Sequence, residues 1–77
     1  MPKVITIEDD PQTLEDVQKL VGGYIESVKP LTSSTSQYWV NEDGLSKNLE
    51  PNIEATDILG YPIVGNLVIL NGRAKLK

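Results

Sequence analysis

An amphipathic run that ends in two glycines and re-emerges as an aromatic and β-branched segment leaves a small chain few ways to fold. This sequence has such a corner at Gln18-Lys19-Leu20-Val21-Gly22-Gly23-Tyr24-Ile25-Glu26. Upstream, Leu14, Val17, Leu20 and Val21 recur at three- and four-residue spacing, while Gln12, Glu15, Asp16 and Lys19 take the other face, so one helix with one buried stripe is predicted. Asp10-Pro11 reads as its start: an aspartate N-cap accepts free first-turn amides, and proline at the first helical position forfeits no hydrogen bond. Glu15 and Asp16 lie towards the positive end of the helix dipole and Lys19 towards the negative end. Gly22 or Gly23 closes the helix in the left-handed conformation, and the second glycine lets the chain reverse closely against a sheet. A phosphate-cradling loop would need its glycines before a helix N-terminus, where amide hydrogens point outwards. Here they follow the helix.

Around this corner the chain reads mostly as strands. Residues 4–7 are β-branched throughout and stop at Glu8-Asp9-Asp10, and residues 24–28 form a second strand ending at Lys29-Pro30. Strand, helix, strand predicts a right-handed crossover with the two strands parallel, adjacent or one apart. The polar tract 32–36 is a loop, residues 37–40 a third strand, and Asn41-Glu42-Asp43-Gly44 a tight reversal with Gly44 at positive φ. Asn52 caps a second helix of about two turns that stops at Gly60, with Ile53 and either Ile58 or Leu59 inward. Residues 63–70, the most continuously apolar segment, predict a central strand with a bulge or a close approach at Gly65-Asn66; Asn71-Gly72 predicts a hairpin returning through residues 73–77 as a lysine-protected edge strand. The expectation is a single α+β domain over residues 1–77: a mixed four- to five-stranded sheet with one main helix, in the order β-α-β-β-short α-β-β.

Composition narrows the chemistry. Seventy-seven residues without cysteine lie near the lower limit for a single unstapled core, a size at which pairing with another copy often adds stability, so a homo-oligomer is expected. With no phenylalanine and only Tyr24, Tyr38, Trp39 and Tyr61 as aromatics, the core must be Val, Ile and Leu. The absence of His and Cys removes the commonest general base, the usual soft metal ligands and the thiolate nucleophile. A net charge of −4, from 11 acidic and 7 basic residues, disfavours a phosphate-backbone partner. No apolar run is long enough to span a bilayer and the start lacks a secretory h-region, so a cytoplasmic protein is expected. Glu42-Asp43 and Glu54 with Asp57 do not supply the dense, regular oxygen donors of a calcium loop, so no metal or cofactor is expected. Ser and Thr lack a His or placed Lys partner, and a paired-acid hydrolase would need two acids converging in one pocket. The reading is non-enzymatic.

Binding candidates remain. Strand alternation sends Trp39 to the face opposite Tyr38 and Val40, so one of the two rings is expected to be exposed as an anchor for a partner, a second copy or a planar ligand. Asn41, Asn52 and Asn66 can each cap a turn locally or offer donor and acceptor to a ligand.

Taken together, Leu20-Val21-Gly22-Gly23-Tyr24-Ile25-Glu26, Val40-Asn41-Glu42-Asp43-Gly44-Leu45, Pro51-Asn52-Ile53-Glu54-Ala55-Thr56 and Ile63-Val64-Gly65-Asn66 resemble the domain-of-unknown-function 3846 family, small domains common in bacteriophages and other mobile elements. The resemblance spans the first helix to the last long strand. Where that family often carries a basic residue after the asparagine, this chain has Ile53. No established activity comes with the resemblance. It implies a setting, an accessory protein of a phage or mobile element in the host cytoplasm, acting by binding. The first expectation is surface contact that modulates or inhibits a host protein. The alternative is a binder of a small nucleotide-like signal, with Tyr24 or Trp39 stacking and Glu26, Asn41, Glu42, Asn52, Thr56 and Asn66 supplying polar contacts.

Overall fold

The computed structural model describes residues 1–77. Its elements are β1 (Val4–Glu8), α1 (Leu14–Val21), β2 (Ile25–Val28), β3 (Gln37–Asn41), α2 (Ile53–Leu59) and β4 (Leu67–Asn71), followed by a 3-10 turn at Gly72–Ala74. The fold is α+β, as the pattern predicts. Four strands make one mixed sheet in the order β1-β4-β3-β2, with β1 parallel to β4 and the other pairs antiparallel. β1 and β2 run parallel but occupy opposite edges with two strands between them, where the sequence reading made them adjacent or one apart. The reason lies in β4. Its residues are buried alternately against the two faces, Leu67 and Ile69 on one and Val68 and Leu70 on the other, and a strand apolar on both sides belongs in the sheet interior.

That alternation divides the core in two. On one face α1 brings Val17 and Val21 onto Val68, Leu70 and Ala74, with Trp39 and Leu76 packed alongside. On the other, α2 brings Ala55 and Leu59 onto Val40, Ile63, Leu67 and Ile69, with Tyr38, Val28 and Tyr61 around them. Tyr38 and Trp39 therefore do take opposite faces, yet both are half-buried, because helices cover both sides of the sheet. The exposed ring is Tyr24, 69% accessible just before β2. In α2 the inward residues are Ala55 and Leu59, four apart on one stripe; of the expected inward residues Leu59 is buried as one alternative had it, while Ile53 points to solvent.

The ends of α1 correct two further expectations. Thr13, not Asp10, is the N-cap: its hydroxyl accepts from the Asp16 amide at 3.1 Å, and the Asp16 carboxylate accepts from the Thr13 amide at 3.0 Å, a reciprocal capping box. The helix thus starts later and packs through its last turn and a half, leaving Leu14 exposed. The Thr13 amide bond, with the hydroxyl-capped turn and Lys19 behind it, lowers the Asp16 pKa. A carboxylate with a depressed folded pKa adds stability above its unfolded pKa and loses it as pH falls through the folded value. Asp16→Asn should therefore flatten the acid limb of a stability-versus-pH profile and leave it unchanged below that window. Thr13→Ala should cost about 1 kcal/mol in urea denaturation.

At the other end Gly22 caps α1 at φ 80°, in the left-handed region, with its amide on the Gln18 carbonyl at 2.9 Å. Gly23 is needed for a different reason: a Cβ there would stand 3.0 Å from Asn41 Nδ2 and 3.1 Å from Lys47 Nζ. Gly22→Ala meets no atom within 4 Å, so its cost is conformational, about 1–2 kcal/mol. Gly23→Ala instead pushes on the Asn41 amide, and an NMR spectrum should show the Asn41 side-chain resonances moving in that variant and not in Gly22→Ala.

Three segments differ from their sequence reading. The long apolar run becomes a strand only from Leu67. Val64 makes an isolated bridge with Pro51, and Gly65, at φ 75°, donates to the Glu50 carbonyl at 2.8 Å in a turn before the strand; it marks the close approach of the two expected alternatives, since a Cβ there would lie 2.7 Å from Leu49 Cδ1, and not a bulge within the strand. Gly44 does not have positive φ; it is required because a Cβ would lie 2.9 Å from Val64 Cγ2. The fifth strand is absent. Gly72 opens a 3-10 turn, the Arg73 amide donates to Asp9 at 3.1 Å, and the Gln37 side chain exchanges two bonds with the Leu76 backbone, at 2.8 and 2.6 Å. The tail is docked by a glutamine side chain in place of a strand ladder.

Candidate functional site

The three asparagines of the recurring motifs all turn inward. Asn52 is 3% exposed: its Oδ1 accepts from the Ala55 amide at 3.0 Å as the α2 cap, and its Nδ2 donates to the Gly65 carbonyl at 2.8 Å and the Lys3 carbonyl at 3.0 Å. One side chain thereby ties the start of α2 to the turn before β4 and to the residue before β1. Asn41, also buried, donates to the Val21 carbonyl at the C-terminus of α1 and accepts from the Asp43 amide at 2.7 Å. Asn66 donates to the Leu20 carbonyl at 2.9 Å and accepts from the Lys3 amide at 2.8 Å. Each satisfies backbone groups that the ends of helices and strands leave open. Thr56 is similar, its hydroxyl accepting from the Ile63 amide at 3.0 Å. The Trp39 ring packs against the α1 side of the sheet and its indole faces Gln37 Oε1 at 3.3 Å.

Tyr24, Glu26 and Glu42 are the members of the predicted set left on the surface. The β2–β3 register brings them together. Glu26 stands opposite Val40, and the Glu42 amide donates to the Tyr24 carbonyl at 2.9 Å, so Tyr24 and Glu42 are opposed two pairs further on. Alternation then places Tyr24, Glu26, Val28, Val40 and Glu42 on the α2 side of the sheet. There Glu26 and Glu42 border a groove of about 440 Å³. Val28, Val40 and Ile63 form its apolar floor; Asp43, Leu45 and Val64 complete its walls. Leu45 is 82% exposed on the lip, a leucine held out of the core by the turns following Asn41.

The predicted set therefore divides. Glu26, Asn41 and Glu42 meet at this groove, with the buried Asn41 holding the turn that forms one wall, while Asn52, Thr56 and Asn66 hold the loops around α2 and β4, and Trp39 lies on the opposite face. Glu26, Glu42 and Asp43 share the rim, yet no group of three or more acidic side chains is placed to hold a metal ion. Sequence reasoning missed the apolar half of the site. Val28 and Val40 read only as strand residues, and Ile63 and Val64 reach the groove through the lone bridge to Pro51, a contact with no local signal. No helix is long and apolar enough to cross a membrane.

No curated protein and no solved structure matches the chain. The model of one protein family does, over residues 1–75: the domain of unknown function DUF3846, to which this chain belongs.

Proposed function

From that membership, we propose that the chain is a non-enzymatic accessory binding protein of a phage or mobile element, which modulates a host protein by surface contact on the α2 side of its sheet. The observation that carries this reading is the groove itself: an apolar floor of Val28, Val40 and Ile63 rimmed by the exposed carboxylates of Glu26, Glu42 and Asp43. Apolar centre and polar rim are the anatomy of a protein-binding patch. The alternative, capture of a nucleotide-like small molecule, asks the motif asparagines for free amide groups. Their Nδ2 atoms are already committed to Val21, Lys3, Gly65 and Leu20. A paired-acid hydrolase asks for one carboxyl in an apolar pocket that separates its acid form from its partner's base form, and all three rim acids are solvated.

The test is recovery of a stoichiometric host protein by the tagged chain from lysate, set beside the double variant Glu26→Lys, Glu42→Lys. Both substitutions are at exposed sites, so the variant should fold with an unchanged circular dichroism spectrum. A partner bound by the natural chain and lost by the variant supports the reading. A bound small mass in native mass spectrometry, with no polypeptide, would move the function to the small-molecule alternative.

A further inference from the structure

The groove lies beside an unpaired sheet edge. β2 is an outer strand, and its inner side bonds β3 through Tyr24, whose carbonyl takes the Glu42 amide at 2.9 Å. In an antiparallel pair the hydrogen-bonding residues alternate, so Glu26 and Val28 also face β3, and the backbone groups of Ile25 and Ser27 point away from the sheet. Outside the ladder neither residue takes a backbone partner. Between Ile25 and Val28 there is no proline or lysine to blunt the edge. What the strand does carry is Glu26, on the same face as the groove.

We propose that β2 accepts an extended segment of the partner protein as a fifth strand, and that Glu26 selects a segment with a lysine or arginine two residues from an apolar side chain. This rests on the protein-binding reading above. Backbone bonds to Ile25 and Ser27 supply sequence-independent attachment, and the alternate side chains of the added strand fall on the groove face. The residue beside Val28 meets the apolar floor. The residue beside Glu26 lies next to its carboxylate, where a cation is attracted and a carboxylate repelled. The same charge argues against a second copy at this edge: pairing two β2 strands about Glu26 opposes two carboxylates directly, and like charges in that position are destabilising. Complementarity of charge thus points to a cationic partner segment, not to this acidic chain of net charge −4.

The experiment uses the whole ¹⁵N-labelled chain and synthetic seven-residue peptides with a valine and a lysine two positions apart, in both orders, since the edge accepts either strand direction. On binding, the amide protons of Ile25 and Ser27 should become protected from solvent exchange. A peptide with glutamate in place of lysine should bind about tenfold or more weakly, and Glu26→Lys should reverse that preference. Ser27→Pro removes an outward donor without touching the bonds to β3, and should abolish protection while keeping the fold. Protection elsewhere, or a lysine preference indifferent to Glu26→Lys, overturns strand addition. If the host protein is still recovered by Ser27→Pro, strand addition fails while the protein-binding reading stands. A dimer that Ser27→Pro dissolves would give the edge to a second copy and also overturn the proposal.

Discussion

Replacing Asn52 with alanine should remove roughly 4 kcal/mol of stability, at least about a third of what a domain of this size holds. At about 0.05–0.15 kcal/mol per residue, 77 residues carry only about 4–12 kcal/mol in total. The substitution removes the α2 cap and leaves the Ala55 amide and the Gly65 carbonyl without their partner at a site 3% exposed, while the Lys3 carbonyl keeps its bond from the Leu67 amide. A lost cap costs about 0.5–2 kcal/mol, and each buried group left unsatisfied about 1–3 kcal/mol, partly offset where water enters. In a small domain each kcal/mol lowers Tm by about 4–8 °C, so a fall of roughly 15–30 °C is expected. Asn52→Ser separates the terms: it keeps an oxygen for the cap, loses both donated bonds and should fall between. Asn66→Ala, half-buried and with two bonds, should cost less than Asn52→Ala. A folded Asn52→Ala protein within 1 kcal/mol of the natural chain would show that the amide is dispensable to the fold and return it to the list of ligand contacts.

What could be read from the sequence followed the range of the physics involved. Local signals were readable: the periodicity of Val17, Leu20 and Val21, the cap at Asn52, the stops at Gly22 and Gly60, and the short β-branched, aromatic and aliphatic segments that became β1 to β4. Where signals competed, the better-bonded arrangement prevailed, whether local or tertiary. Asp10-Pro11 looked like a helix start, but the Thr13–Asp16 box, with its two reciprocal bonds, specifies the boundary more strongly. Asn71-Gly72 looked like a hairpin, but Gln37 captures Leu76 before a ladder can form, and Asp9 captures Arg73. The order of strands was not readable from a strand-helix-strand rule, because the place of β4 depends on burial of both its faces. The same limit applies to the site. Glu26 and Glu42 were candidates by residue type and resemblance, but their shared face follows from a register, and the groove floor follows from Ile63 crossing from another part of the chain. Asn41, Asn52 and Asn66 illustrate the converse: each reads as a local cap or as a polar ligand contact until the partners of their Nδ2 atoms, 13 to 49 residues away, are seen to be the protein's own backbone.

The division of the core by β4 predicts that neither half survives without the other. Leu67 and Leu70 are both fully buried, three residues apart on one strand, but Leu67 belongs to the α2 cluster and Leu70 to the α1 cluster. Each truncation to alanine should cost about 2–5 kcal/mol from lost transfer free energy and the remaining cavity. The clusters hold six and five buried residues, too few to sustain a helix and half a sheet alone. Unfolding should therefore remain a single transition in each variant. The one tryptophan makes this measurable, because Trp39 lies on the α1 side and reports a face that Leu67→Ala does not touch. In urea, the Trp39 fluorescence midpoint of Leu67→Ala should shift as far as the far-ultraviolet circular dichroism midpoint, since β4 transmits the loss through the sheet. Leu67→Ala with Leu70→Ala together approaches the whole stability of the domain and should leave no folded baseline at 25 °C. If fluorescence kept its natural midpoint while dichroism shifted, the two faces would be separate folding units, and β4 would not be the strand on which the domain depends.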